Sequence, residues 1–88
     1  MIRQRISFFG TVQGVGFRWR ARHAAALYGC TGWVRNEWDG SVAMEIQGSA
    51  RAVEQVLEAI AAGPWVEITR TERQSIPVVE DESGFTAC

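Results

Sequence analysis

The chain opens on an alternation. Ile2, Ile6 and Phe8 share one parity and Arg3, Arg5 and Ser7 the other, with Gln4 a polar interruption of the apolar row. Period-two alternation predicts a strand over Ile2–Phe9 whose second face meets water. The period then changes. Phe17, Ala21, Ala24 and Tyr28 recur at helical spacing, which predicts a helix over Phe17–Tyr28 with those four residues toward a sheet. Gly29 follows as the left-handed residue that ends it.

Thr31–Asn36 returns to strand character, and Glu37-Trp38-Asp39-Gly40 forms the turn after it. Asp-Gly is a short-range hairpin signal, and Ser41–Gln47 alternates with Val42, Met44 and Ile46 inward. Ser49 is placed to cap a second helix over Ala50–Ala62. Val53, Val56, Leu57 and Ile60 make its apolar stripe, and Gly63-Pro64 stops it. Trp65–Arg73 alternates again as a strand. Gln74–Ser83 is a loop with an acidic run, and Gly84–Cys88 a short final edge strand.

This order is strand, helix, strand, strand, helix, strand, then a short extra strand. It predicts an α+β chain with the ferredoxin-like split βαβ pattern (βαββαβ). Two helices would cover one face of an antiparallel sheet, with a short extra strand at the C-terminal end. At 88 residues, one domain over 1–88 is the natural prior.

Composition narrows the function classes. The 47% hydrophobic content excludes a disordered chain. A net charge of −1 gives no basic footprint for nucleic acid or an anionic membrane. No apolar run approaches the roughly 18 residues of a membrane helix. Arg3 and Arg5 interrupt any signal-peptide core. A cytoplasmic monomer is expected. All nine basic residues are arginine, so no lysine is present to form a Schiff base. Cys30 and Cys88 form no CxxC pair and no metal spacing with His23, so neither metal nor cofactor is expected. Both thiols are expected free in a reducing compartment, with a bridge between them left open. His23, without a carboxylate or cysteine partner at helical spacing, reads as a helix-surface residue.

The chemistry concentrates in Gly10-Thr11-Val12-Gln13-Gly14-Val15-Gly16-Phe17-Arg18, where a predicted strand hands over to a predicted helix. Glycines let backbone come close to a ligand, and the unpaired N–H groups of a helix start favour an anion. Arg18 adds a planar, permanently charged fork at that helix start. The spacing matches neither the dinucleotide fingerprint nor a P-loop. On residues alone the stretch is either an anion cradle or a Gly-rich corner.

Gly10-x-Val12-Gln13-Gly14-Val15-Gly16-Phe17-Arg18 resembles the signature of the acylphosphatase family. Gly32-Trp33-Val34-Arg35-Asn36, followed by Asp39-Gly40-Ser41-Val42, is similar to that family's second signature, and the resemblance extends to Gly63-Pro64 and Phe85. The resemblance implies hydrolysis of small-molecule acyl phosphates to carboxylate and phosphate, without a metal. Arg18 aligns with the family's phosphate-binding arginine and Asn36 with the asparagine that orients the attacking water. The backbone of Gln13, Gly14, Val15, Gly16 and Phe17 corresponds to the phosphate cradle. Two positions depart from the pattern. Glu37 stands where a small hydroxyl residue is common and brings a negative charge near an anionic substrate. Thr11 stands where a basic residue is common.

Three rivals stay open at this point. One is a module of the same fold that binds phosphate or acyl phosphate without turnover. Another is a carbamoyl-phosphate-handling domain, such as begins the hydrogenase-maturation carbamoyltransferases. The third is an RNA-recognition module of the same element order, which the absent RNP pattern and the acidic balance disfavour. Trp33 and Trp38 are weighed as flanks of an acyl group against plain hairpin packing.

Overall fold

In the computed structural model, which describes residues 1–88, seven elements follow in order. They are β1 (Ile2–Thr11), α1 (Phe17–Tyr28), β2 (Thr31–Asn36), β3 (Val42–Gly48), α2 (Ala50–Ala61), β4 (Glu67–Ile76) and β5 (Phe85–Ala87). The strands form one sheet in the order β4-β1-β3-β2-β5. β1 runs antiparallel to both β3 and β4, and β2 antiparallel to β3. Both helices lie on one face. Phe17, Ala21, Ala24 and Ala25 of α1 and Val53, Val56 and Ile60 of α2 share a single core with Ile6, Phe8, Val34, Val42, Met44 and Ile46 of the sheet. The Ser49 side chain caps α2 by accepting from the Ala52 N–H at 3.0 Å.

Four expectations change. First, the sheet is mixed, because β5 pairs parallel to β2. The topology requires it. β4 runs antiparallel to β2, so chain leaving β4 emerges at the sheet end where β2 starts and, once across the sheet, runs with it. Second, the outer sheet face is not simply wetted. The segment between β4 and β5 crosses it, and Arg3 is only 3% exposed beneath Glu82. Third, Tyr28 leaves the core and Ala25 takes a place in it. Tyr28 sits on the last turn of α1 and lines a groove with Ala59 of α2. Fourth, β4 begins at Glu67 rather than Trp65 and continues to Ile76. A turn closed by the Val66 N–H on the Gly63 carbonyl holds Trp65 outside the sheet. No helix is long and apolar enough to cross a membrane.

Candidate active site

β1 runs two residues beyond its predicted end, to Thr11, and its register with β4 shifts between Phe9 and Gly10. Gly10 therefore belongs to the sheet and not to a cradle. It has φ +125°, and a Cβ there would collide with the Glu67 carbonyl. The loop proper hangs between two buried anchors, Val12 at 1% exposure and Phe17 at 2%. Phe17 meets Phe8 edge-on, with ring centroids 4.9 Å apart. These anchors fix both ends of the span Gln13–Gly16 against the core.

Within that span Gly14 and Gly16 have φ of 73° and 80°. Open space surrounds both, so the left-handed backbone alone calls for glycine there. Gly16 caps α1 with no side chain bonded to the helix start. The N–H groups of Gln13 through Arg18 donate to no other backbone carbonyl, and the first backbone bond of the helix runs from the Arg20 N–H to the Gly16 carbonyl. A run of unclaimed donors at the positive end of a helix dipole attracts negative charge.

Arg18 stands exposed on the first turn of α1. Its Nη1 donates to the Cys88 main-chain oxygen at 2.6 Å, which ties the guanidinium to the end of β5. Asn36 is the last residue of β2, opposite Val42 of β3 and exposed. Val12, Gly14, Gly16, Phe17, Arg18, Trp19 and Asn36 line one open hollow of about 180 Å³. A guanidinium and free amide N–H groups suit an oxyanion, and a carboxamide offers both a donor and an acceptor to a water.

The predicted residues do not all converge. Gly14, Gly16, Phe17, Arg18 and Asn36 border the hollow, whereas Gln13 and Val15 do not. Val15 packs against the core. The Gln13 side chain turns away and donates through Nε2 to the Glu37 carbonyl at 2.6 Å and the Ser41 carbonyl at 2.9 Å. It thus clamps the glycine loop to the turn that follows Asn36. Sequence reasoning missed this role, because a carboxamide's partners 24 and 28 residues away leave no trace in local pattern. It also missed Val12 and Trp19 as walls. For Trp19 a signal was present, an aromatic beside Arg18 in a helix whose core face lies elsewhere.

The turn itself is tied by Asp39, whose carboxylate accepts from the Ser41 hydroxyl at 2.6 Å and the Ser41 N–H at 2.9 Å. Those bonds hold the Asp39 carboxyl below its ordinary range. Glu37 does not face the hollow with an unpaired charge, since Arg35 Nε donates to it at 3.1 Å. Trp33 packs on the sheet between Arg5 and Arg35, their guanidinium carbons 5.3 and 4.8 Å from its ring, and Trp38 is 98% exposed. Neither lines the hollow. Cys30 is buried and Cys88 exposed, both as free thiols, and burial pushes the Cys30 thiol up. No group of three or more His, Cys, Asp or Glu side chains converges as a set of metal ligands.

Fold and hollow together define a small α+β protein with a glycine loop, an arginine and an amide around one opening at the end of its sheet. A family model described as Acylphosphatase matches residues 4–87. An acylphosphatase of Bifidobacterium longum is 42% identical over 82 residues, covering 92% of this chain and 84% of the relative. One from Geobacillus kaustophilus is 40% identical over 86 residues, covering 97% and 92%. The crystal structure of acylphosphatase from Bacillus subtilis superposes with a TM-score of 0.90 at 31% identity, covering 100% of this chain and 99% of that one. The chain belongs to the acylphosphatase family.

Proposed function

We propose that this family member hydrolyses acyl phosphates at the hollow between the glycine loop, Arg18 and Asn36. The observation that carries the site assignment is the set of unclaimed N–H groups of Gly14, Gly16, Phe17 and Arg18, beside a guanidinium and an amide on one opening. The phosphate oxygens lie against those N–H groups and Arg18. Asn36 accepts a hydrogen bond from a water through its carbonyl oxygen and aims it at phosphorus. The water oxygen forms the new P–O bond as the bond from phosphorus to the acyl oxygen breaks. The electron pair leaves with the carboxylate, and the water proton ends on a phosphate oxygen.

A carboxylate is already a good leaving group, so no strong general acid is required. Positioning and charge stabilisation then supply most of the rate. The chain acts as one domain over residues 1–88, as a monomer in the cytoplasm, and the near-neutral net charge of −1 supports a small-molecule partner over a polyanion.

Release of phosphate from acetyl phosphate, in excess chelator, tests the assignment. Arg18→Ala lowers kcat/KM by at least ~10²-fold, the value of one charge-assisted transition-state donor. Arg18→Lys restores only part of it, because a point charge lacks the fork. Full activity in a folded Arg18→Ala protein removes Arg18 from the mechanism.

A further inference from the structure

The phosphate hollow accounts for one half of an acyl phosphate and leaves the acyl half without a seat. Trp19 borders that hollow together with Arg18 and Asn36. It also borders a second, largely apolar groove of about 210 Å³, shared with Ala24, Leu27, Tyr28 and Ala59 between α1 and α2. The two spaces therefore meet at one indole. Trp19 is 62% exposed and Leu27 75%, a large apolar area to leave in water beside a binding hollow.

His23 holds the indole in place. Its ring stacks on Trp19 with centroids 3.9 Å apart, and its Nδ1 lies 2.9 Å from the Trp19 carbonyl oxygen. A carbonyl only accepts, so Nδ1 carries the proton and donates. Trp19, His23 and Leu27 succeed one another at four-residue spacing, which places them in one row along α1. The row starts at the helix end that faces the phosphate hollow and runs about 12 Å away from it.

We infer that the acyl group of the substrate packs against Trp19 at the head of this row, so that the site selects acyl phosphates with an aromatic acyl group. Trp19 is then a specificity-determining residue and His23 a positioning residue that acts through it. The inference rests on the hollow being the phosphate site. A small acyl group such as acetyl ends before the indole and gains nothing from it. A benzoyl ring reaches it and gains a stacking contact.

Binding separates this inference from the catalytic one. Calorimetry compares benzylphosphonate with methylphosphonate, two non-hydrolysable anions that differ only in the apolar group. The parent binds benzylphosphonate roughly three- to tenfold more tightly. Trp19→Ala abolishes that preference, Trp19→Phe keeps most of it, and Leu27→Ser leaves the benzyl preference intact because the ring stops at the indole. Equal affinities in the parent, a preference that survives Trp19→Ala, or no binding of either anion overturns the inference. Turnover of acetyl phosphate reports independently on the hydrolytic assignment. A protein that hydrolyses acetyl phosphate yet shows no benzyl preference keeps its hydrolytic site and loses its acyl groove.

Discussion

Two arginines near the two ends of β1 show how one side chain serves opposite purposes. Arg3 enters the sheet at the strand's start and is 3% exposed. Its Nε donates to Glu45 at 3.0 Å, Nη1 to Glu82 at 2.8 Å and to Gln47 at 3.2 Å, and Nη2 to Glu82 at 3.2 Å. Its charge is matched and its fork nearly saturated. Arg18, just past the loop that leaves β1, is exposed and has one partner, the Cys88 main-chain oxygen. The remaining donors of its fork, and the N–H groups beside it, have no acceptor in the protein. A buried charge left unpaired is costly, so Arg3 is surrounded by carboxylates. Charge meant for a ligand has to stay unsatisfied and in reach of water, and Arg18 meets both conditions.

The sharpest way to break the comparison is to remove each arginine and read both stability and rate. Arg18→Ala loses at least ~10²-fold in kcat/KM while its urea midpoint barely moves, because an exposed side chain adds little to stability. Arg3→Ala behaves the other way. It strands Glu82, while Glu45 keeps its bond from Arg5, and loses about 3 kcal/mol of unfolding free energy, while the folded fraction keeps its kcat/KM. A kinetic defect in Arg3→Ala, or a large stability loss in Arg18→Ala, breaks the division of labour.

Gln13 stands between the two cases, a half-buried clamp that serves an exposed site. Gln13→Ala frees the glycine loop from the Glu37 and Ser41 carbonyls and lowers stability by about 1–2 kcal/mol. It also lowers kcat/KM about tenfold through misplaced loop donors. Gln13→Glu does at least as much harm, since a carboxylate in that place faces two carbonyl oxygens. Thermal unfolding alongside steady-state kinetics checks both arms.

The smallest effect is a pH dependence to which the Arg3 end contributes. Hydrogen bonds from Arg3 hold the Glu82 carboxyl below its ordinary range. A depressed folded-state pKa means the pair's contribution is complete above the unfolded value of about 4.3 and is lost as pH falls through the folded one. Glu54, held down by its bonds with Arg73, adds in the same direction. Urea midpoints at pH 7 and pH 3 show the parent losing about 1 kcal/mol more than Glu82→Gln over that interval. An equal loss in both proteins removes Glu82 from the acid response.

Legibility in sequence followed the range of the physics. Alternation and helical spacing are local, so β1, α1, the β2–β3 hairpin and α2 were readable within a residue or two. The glycine loop was readable because αL backbone and a helix start are local too. What escaped depends on chain far away. The parallel pairing of β5 follows from where β4 ends. The burial of Arg3 depends on Glu82, 79 residues on. Gly10 opens the signature stretch, yet it serves the close approach of β4. At the site, Gly14, Gly16, Phe17, Arg18 and Asn36 were placed by pattern and resemblance together. The Gln13 clamp and the Trp19 wall needed the fold.

The account turns on Asn36, the one polar side chain besides Arg18 on the hollow. Hydrolysis of an aryl acyl phosphate in excess chelator, parent against Asn36→Ala, with phosphate affinity measured on the same samples, tests it most directly. The account predicts turnover in the parent and near-complete loss in Asn36→Ala while phosphate still binds. A folded Asn36→Ala protein that binds phosphate and turns over like the parent contradicts it.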